Sequence, residues 1–399
     1  MFKALDPMVN NNYLKQGTIL KGENLEYRVE SVLGSGGFGI TYKVSTEIKK
    51  GGVLTKFYFA IKEYFVKDWC GRKENSTEMF YADSLAKDVE AGKADFISEA
   101  RRLNQLRHRN IMRVHEVFEA HNTAYYVMDY VKGSNLREIV LNKGKMSPEE
   151  MFGWSVEILG AVDYLHRNNI AHFDIKPSNI MMKQSGKRGI YPILIDFGQS
   201  KHYDEKGKAT STIRARGCTD GYAPIEQYVG VDDFNPQADI YAIGASIAFC
   251  LTAKTPPKSI NIEEDDLENL LPNTVDESLR QIVYNSMQRE RSKRTQSISI
   301  MLHDLKKWHD NANEEKHLQK GPSKVDIVTP KVKRNSIEPN GNRTKWVWII
   351  ICAIIVAILS GVIVWTKQNK KTKRKTSSTP LVENVVKPNN KSIKYVKFG

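Results

Sequence analysis

Cysteine is scarce in this chain. Four cysteines occur among 399 residues, and no two of them show Cys-x-x-Cys spacing: Cys70, Cys218, Cys250 and Cys352. This pattern argues against a disulfide framework and against a cysteine-rich zinc site. We therefore expect a reducing cytosol around the large domain.

The first residues lack an export signal. They contain Asp6 and a run of three asparagines, Asn10 to Asn12, but no apolar block of signal-peptide length. We therefore expect the first domain to lie in the cytosol.

Excess positive charge is missing from most of the chain, although the formal net charge is +14. Residues 366–399 hold ten Lys and Arg against Glu383 alone, and residues 311–345 hold eight against four acidic residues. Residues 1–310 are therefore close to neutral. This distribution argues against a nucleic-acid-binding domain. Basic residues on both sides of an apolar run instead suggest anionic lipid.

One apolar run is long enough to cross a membrane. Residues 346–365 carry no charge and are rich in Ile and Val. A helix of this length spans the hydrocarbon core of about 30 Å. We predict a single transmembrane helix here, after a polar juxtamembrane linker over residues 310–345 and before a basic extracytoplasmic tail over residues 366–399. A buried core helix is the alternative, but the tail is too short to cover its circumference.

The segment between residues 27 and 309 changes character along its length. Up to residue 131 it favours strands, because apolar residues alternate in stretches such as Tyr27 to Leu33 and Phe57 to Lys62. From residue 132 the apolar spacing becomes helical, as in Met151 to Arg167. We predict an α+β fold with a β-rich lobe over residues 27–131 and a helical lobe over residues 132–309. Residues 1–26 are predicted as an N-terminal extension.

A glycine-rich motif occupies residues 34–39, with the sequence Gly34-Ser35-Gly36-Gly37-Phe38-Gly39. Dinucleotide-binding folds share this pattern, but there a helix follows the glycines. Here Ile40 to Val44 alternates and is rich in β-branched residues, which predicts a strand. The motif then forms a flap whose backbone N–H groups can lie over phosphates. Taken alone, an ordinary glycine hairpin remains the alternative.

A lysine and a glutamate follow this motif. Lys62 closes the apolar strand Phe59-Ala60-Ile61-Lys62, and Glu99 lies on a predicted helix with an apolar stripe that includes Phe96 and Leu103. An exposed strand lysine is the usual interpretation of such a residue. With the glycine loop before it and the helix after it, a Lys62–Glu99 ion pair that holds the ammonium against phosphates is the alternative that we favour.

Two further motifs identify the family. They are His172-Phe173-Asp174-Ile175-Lys176-Pro177-Ser178-Asn179 and Ile193-Leu194-Ile195-Asp196-Phe197-Gly198. With them the sequence resembles the eukaryotic-type protein kinases over about residues 27–309. The resemblance implies a two-lobed kinase fold, ATP as the phosphate donor and Mg²⁺ as the metal. It implies that Asp174 accepts the substrate proton, that Lys176 neutralises the γ-phosphate, and that Asn179 and Asp196 bind Mg²⁺.

The same resemblance implies a nucleotide pocket. Met128 would be the gatekeeper, and Asp129 to Val131 the hinge that binds adenine through backbone groups. The flap and the walls of the pocket would consist of Leu33, Gly34, Ser35, Gly36, Gly37, Phe38, Gly39, Ile40, Thr41, Ala60, Lys62 and Met181.

Lys176 and Thr219 resemble the serine/threonine branch of the family, and phrases such as Gly39-Ile40-Thr41-Tyr42 look most like its bacterial membrane-bound members. Thr219 would bridge Asp174 and Lys176, Glu226 would pair with Arg294, and Asp239 would fix the catalytic loop. The expected enzyme is therefore a single-pass kinase of the inner cell membrane with its kinase domain in the cytoplasm. Its partners would be proteins with Ser or Thr acceptors, with autophosphorylation and dimerisation also expected, and no nucleic acid.

Several features depart from the family pattern, including Ile225 in place of a proline before Glu226. Phe173 replaces an arginine that in many kinases binds an activation-loop phosphate, so this control loses its usual receiver. Thr41 replaces a valine above the adenine, and residues 68–93 read as an inserted loop. A pseudokinase scaffold that binds nucleotide or a partner without transfer is the alternative function. The presence of Lys62, Glu99, Asp174, Asn179 and Asp196 argues against it.

Overall fold

The structure, a computed structural model, describes residues 12–37, 39–186, 189–204, 206–208, 218–229 and 235–319. Phe38 of the predicted flap, the predicted transmembrane helix at residues 346–365 and the predicted basic tail lie outside these ranges. Among the described residues, no helix combines the length and the apolar character that a bilayer crossing requires.

The N-lobe consists of strands and one long helix. Its elements in chain order are β1 (Ile19–Lys21), β2 (Glu26–Gly36), β3 (Gly39–Lys50), β4 (Val53–Tyr64), β5 (Cys70–Arg72), β6 (Met79–Tyr81), a 3-10 turn (Asp83–Leu85), α1 (Ala86–Gln105), β7 (Val114–Ala120) and β8 (Thr123–Asp129). Six strands form one sheet in the order β1-β2-β3-β4-β8-β7. Each neighbouring pair is antiparallel.

The predicted flap is the turn between β2 and β3, where Gly36 pairs with Gly39. The glycines lead directly into β3, which pairs with β4 along its whole length. Residue 39 must be small, because a Cβ there would come within 2.6 Å of the carbonyl oxygen of Glu63. The strand, glycine loop and strand are thus confirmed, and this arrangement is not the dinucleotide-binding one.

The two faces of the sheet pack against different clusters. Alternate residues of β3, namely Ile40, Tyr42 and Val44, are buried in a cluster that we call the outer cluster, together with Ile61 of β4. Ala60, the next residue along, belongs to a larger cluster that continues into the C-lobe. Since side chains alternate along a strand, Lys62 lies on the same face as Ala60.

The outer cluster is covered by a cap formed by residues 12–25 and 68–85. Leu14 and Leu20 from the first segment, and Cys70 and Met79 from the β5–β6 hairpin, are buried in it. Residues 12–26, predicted as an extension, therefore pack as part of the N-lobe. The predicted inserted loop is a hairpin and the start of α1, because its apolar residues bury themselves on the sheet.

The C-lobe is mainly helical. Its elements are β9 (Gly133–Asn135), α2 (Leu136–Lys143), α3 (Pro148–Arg167), β10 (Ile170–Ala171), a 3-10 turn (Pro177–Asn179), β11 (Ile180–Ser185), β12 (Gly189–Leu194), β13 (Lys201–His202), α4 (Ile225–Val229), α5 (Gln237–Thr252), α6 (Glu264–Glu268), α7 (Glu277–Ser286) and α8 (Ile298–Gln319). Helices α2 and α3 each begin with a capping box, formed by Asn135 with Glu138 and by Ser147 with Glu150.

Helix α5 is the centre of the C-lobe. All of its residues from Ala238 to Leu251 are buried. A helix that is apolar all round must be enclosed by other elements. Helices α2, α3 and α7 all contact it, and so does the 3-10 turn at Pro177–Asn179. The position of that turn therefore depends on α5.

Helix α8 packs against α3 and continues to Gln319. The predicted boundary between kinase domain and linker, residue 309, thus falls inside this helix. The reason is local, because residues 298–320 contain neither proline nor glycine and nothing in the sequence ends the helix earlier.

Candidate active site

The carboxylate of Asp174 is the centre of a closed hydrogen-bond group. Lys176 Nζ donates to both of its oxygens, at 2.9 and 2.8 Å, and Thr219 Oγ1 donates to Oδ1 at 2.7 Å. The same ammonium donates to Thr219 Oγ1 at 3.0 Å. Asn179 Nδ2 donates to the backbone oxygen and to Oδ2 of Asp174, at 2.8 and 2.9 Å. Thr219 therefore bridges the aspartate and the lysine, as the resemblance implied.

The loop that carries Asp174 is anchored to α5 through Asp239. This fully buried carboxylate accepts the backbone N–H groups of His172 and Phe173, both at 2.9 Å. It also lies 2.9 Å from His166 Nε2. Burial acts to raise the pKa of Asp239, but the contact with His166 outweighs it and the pKa is lowered. The predicted role of Asp239 in fixing the loop is confirmed.

Phe173 occupies the position where an arginine would receive a phosphate. Its φ of 60° lies in the left-handed region, which a bulky residue adopts only under constraint. Its ring is buried in a small apolar cluster with Ala171, Tyr203 and Ala238. Strands β10 and β13 pair beside it. The segment that follows Asp196 thus makes an apolar contact with the loop that carries Asp174, through Tyr203 and Phe173.

Lys62 pairs with Asp196 and not with Glu99. The distance from Lys62 Nζ to Asp196 Oδ1 is 2.7 Å. The lysine charge lowers the pKa of Asp196 to about 2. Gly198 makes room for this pair, since a Cβ there would lie 2.5 Å from Lys62 Nζ. Of the described residues, Lys62 and Glu99 are not within ion-pair distance, so the predicted Lys62–Glu99 pair is not formed.

Glu99 is bound by Ser200 instead. Ser200 Oγ contacts Glu99 Oε1, and it lies 2.8 Å from the carbonyl oxygen of Phe197. Burial outweighs the hydrogen bond from Ser200 and the charge of Lys62, and the pKa of Glu99 is raised to about 7. A hydroxyl thus takes the place of the ammonium expected from the sequence.

The predicted walls of the nucleotide pocket come together in one cluster. It contains Leu33, Ala60, Met128, Val131 and Met181. Ala60 and Met128 are direct partners across β4 and β8. The contacts across the two strands thus place the predicted gatekeeper, Met128, beside Ala60, a predicted wall of the pocket.

Three other predicted pocket residues, Ile40, Thr41 and Asp129, differ in where their side chains lie. The side chain of Ile40 is buried in the outer cluster, on the face of the sheet away from Ala60, so only its backbone borders the flap. Thr41 pairs with Lys62 and shares its face. The side chain of Asp129 is turned to His115, with 2.7 Å between Oδ1 and Nε2. Asp129 also donates its backbone N–H to the carbonyl of Arg113 at 3.0 Å.

The segment that follows Thr219 is attached to the C-lobe by a buried ion pair. Arg294 Nη1 lies 2.6 Å from Glu226 Oε1, and Nη2 lies 3.2 Å from Oε2. Asn235 Nδ2 donates to the same Oε1 at 3.0 Å. The predicted pairing of Glu226 with Arg294 is confirmed.

Sequence analysis missed two residues that touch these groups. His166 lies at the end of α3, and no spacing rule connects it with Asp239, which is 73 positions away. Ser200 stands two positions after Gly198, where a hydroxyl carries no recognisable signal. Both become visible only when distant segments pack together.

Comparisons with known proteins agree with this geometry. The model of the family "Protein kinase domain" matches residues 27–316. Serine/threonine-protein kinase PrkC of Bacillus subtilis is 25% identical over 301 residues, which cover 68% of this chain and 45% of that protein. Serine/threonine-protein kinase B of Synechocystis is 28% identical over 240 residues, covering 58% and 38%. The chain thus spans less than half the length of these relatives.

Among solved structures, the apo form of PpkA-294 has the same fold. Its TM-score is 0.57 at 24% sequence identity, and the match covers 74% of this chain and 99% of that one. The likeness therefore extends over nearly all of that structure.

Proposed function

Because this chain belongs to the protein kinase family, we propose that it transfers the γ-phosphoryl group of ATP to serine and threonine hydroxyls of proteins. The observation that carries this proposal is the closed group of Asp174, Lys176, Thr219 and Asn179. It places a fixed carboxylate beside a fixed ammonium, which is the pairing that phosphoryl transfer to a hydroxyl requires.

Asp174 acts on the acceptor hydroxyl. As the hydroxyl oxygen forms its bond to the γ-phosphorus, the bond from that phosphorus to the β-phosphate oxygen breaks. The hydroxyl proton passes to the carboxylate, and ADP leaves with the electron pair. Lys176 remains beside the carboxylate and offsets the charge on the transferred group. Thr219 keeps the two side chains in register, because its hydroxyl both donates to Asp174 and accepts from Lys176.

Asn179 and Asp196 fit a magnesium ion that is shared with phosphates. Asn179 donates its amide nitrogen to Asp174, so its amide oxygen is the atom left to act as a ligand. Among the described residues, no cluster of three or more His, Cys, Asp or Glu could hold a metal. A set of one carboxylate and one amide is what Mg²⁺ uses when phosphates and water complete its shell. When bound there, Mg²⁺ would neutralise phosphate charge.

Lys62 has two carboxylates within electrostatic reach. It neutralises Asp196, and the charge of Glu99 also acts on its ammonium. Moving the ammonium from Asp196 to Glu99 would expose Asp196 to a metal ion and direct Lys62 toward the α- and β-phosphates. We infer that this exchange accompanies nucleotide binding.

A transfer assay on the purified full chain tests the proposal. Asp174→Asn should lower autophosphorylation and transfer to a Ser/Thr substrate by about 10²–10⁴-fold, the usual contribution of a positioned acid or base. Nucleotide affinity should stay the same, because Asp174 acts on the hydroxyl. Asp163→Asn, at a carboxylate whose partner Arg167 is largely exposed, is the matched control. Wild-type transfer by Asp174→Asn would refute the assignment, and no transfer by the wild-type chain would favour the pseudokinase.

We also propose that residues 346–365 anchor the kinase in the inner membrane, with residues 1–345 in the cytoplasm. The uncharged run and its basic flanks support this. The supply of ATP favours the cytoplasmic side for the kinase domain. In intact cells, a cysteine replacing Ser392 should react with an impermeant thiol reagent while Cys218 does not. The opposite labelling pattern would reverse the proposed topology.

A further inference from the structure

The flap over the nucleotide site is contacted by a segment from outside the matched kinase region. Tyr13, in the N-terminal part of the cap, places its hydroxyl 3.0 Å from Ser35 Oγ. Ser35 lies between Gly34 and Gly36 in the flap. A hydrogen bond at this point connects the cap directly to the flap.

Tyr13 extends from a backbone that is held on both sides. On one side, Arg72 Nη1 donates to the carbonyl of Asn12, and the backbone N–H of Arg72 donates to Asn12 Oδ1 at 3.2 Å. On the other side, the backbone N–H of Leu14 donates to the Tyr42 hydroxyl at 3.1 Å, and the Leu14 side chain is buried. Little entropy is therefore lost when the Tyr13 hydroxyl meets Ser35.

The two side chains that bind this backbone, Arg72 and Tyr42, both bind the buried carboxylate of Glu63. Arg72 Nη2 and Glu63 Oε1 form an ion pair whose side chains are almost completely enclosed. The hydroxyls of Tyr42 and Tyr125 donate to the same carboxylate at 2.9 and 2.8 Å. A buried pair with its remaining acceptors satisfied holds its members in one geometry. Glu63 follows Lys62 in the chain, so the network is fixed to the strand that carries the phosphate-binding lysine.

The other side of the flap is also tethered. The backbone N–H of Lys67, just before the second part of the cap, donates to the carbonyl of Gly37 at 3.3 Å. A Cβ at Gly34, Gly36 or Gly37 would meet no other atom within 4 Å, so packing does not position the flap at these residues. Besides its pairing with β3, the flap is therefore held by two hydrogen bonds, one with Tyr13 of the cap and one with Lys67.

We propose that Tyr13 is a positioning residue of the nucleotide site: its hydroxyl, held by the Arg72–Glu63 network, keeps the glycine flap in a conformation that receives ATP. The inference rests on the proposed function, because it assumes that the flap covers the nucleotide. It gives residues 12–25 a role in nucleotide affinity, although they precede the matched kinase region.

A double-mutant cycle on nucleotide affinity tests the proposal in the full chain. Tyr13→Phe and Ser35→Ala should each weaken binding of a fluorescent ATP analogue by about two- to fivefold, the value of one exposed hydrogen bond. The double variant should bind no more weakly than either single variant, since both changes remove the same bond. In transfer assays, Tyr13→Phe should raise KM for ATP and leave kcat within about twofold.

Tyr81→Phe is the matched control. It removes another hydroxyl of the cap, one that donates to Glu90 Oε1 at 2.7 Å without touching the flap, and affinity should not change. Amide hydrogen exchange at Ser35 to Gly37 should rise in Tyr13→Phe and not in Tyr81→Phe. Additive effects of the two single changes, unchanged affinity in both, or tighter binding by Tyr13→Phe would overturn the inference. Because affinity is read without transfer, these results stay separate from the Asp174→Asn assay.

Discussion

The two sides of the active site differ in what holds their charged groups. On the C-lobe side, Asp174 has partners from three other residues, and its loop is bound to the buried Asp239. On the N-lobe side, Lys62, Asp196 and Glu99 are also paired, but not in the combination that phosphate binding requires. Under the proposed function, the hydroxyl-activating side is already assembled, whereas the phosphate-binding side exchanges partners.

Removing Asp239, which anchors the loop of Asp174, should have the largest effect, and this effect is on the free energy of unfolding. Asp239→Ala leaves two backbone N–H groups of the catalytic loop without their acceptor inside the protein. We expect a loss of about 3–5 kcal/mol in the free energy of unfolding, as for other buried charged groups that lose a partner. Denaturant unfolding measures it. Asp163→Ala, at a surface ion pair, should cost less than about 1 kcal/mol. Equal losses for both variants would mean that the loop does not depend on Asp239.

The rate of transfer should depend on pH through Glu99 on the N-lobe side of the site. The pKa of Glu99 is raised to about 7, so its ionised fraction increases as the pH rises through neutrality. Only the ionised form can take the ammonium of Lys62 from Asp196. Transfer should therefore increase by up to about tenfold between pH 6 and pH 8, as for any single group with this pKa. A flat kcat/KM profile over this range would contradict the expectation.

Ser200→Ala should have the smallest effect of these changes. Whether transfer becomes faster or slower shows which carboxylate arrangement Ser200 favours. At pH 8 the variant should transfer up to about fivefold faster, because one hydrogen bond of about 1 kcal/mol no longer holds Glu99 away from Lys62. The midpoint of its pH profile should move upward, since the Ser200 hydrogen bond lowers the pKa of Glu99. Ser200→Thr, which retains the hydroxyl, is the control. Slower transfer would indicate that Ser200 holds Glu99 in its working position.

Sequence reasoning succeeded where the relevant residues are close together or occur in fixed motifs. Asp174, Lys176 and Asn179 lie within six positions, and the bridging Thr219 was identified by family resemblance. The predicted partner of Lys62, Glu99, is not the one in the structure, which is Asp196. The two carboxylates compete for one ammonium, and the packing of α1 decides which of them binds it. Because side chains alternate along a strand, Ile40 must lie on the face of β3 opposite to Thr41, which is the face of the outer cluster.

The cap could not be predicted. Its buried apolar residues are few and separated by polar stretches, so no period marks them. The buried Arg72–Glu63 pair that holds it joins one strand to a hairpin that resembled a loop in the sequence. Such a pair specifies structure through geometry and not through hydropathy.

The all-round burial of α5 also determines how the thiols of the protein react. Cys250 lies in this helix without exposed surface, and burial raises its pKa, so its reactive thiolate forms only when the C-lobe opens. Cys70 belongs to the cap and is buried in the outer cluster, while Cys218 is half-buried and precedes Thr219 in the chain. Alkylation of Cys250 therefore reports opening of the C-lobe core. Alkylation of Cys70 reports detachment of the cap, and alkylation of Cys218 reports exposure of the segment next to Thr219. The three cysteines among the described residues thus report the opening of three different parts of the protein.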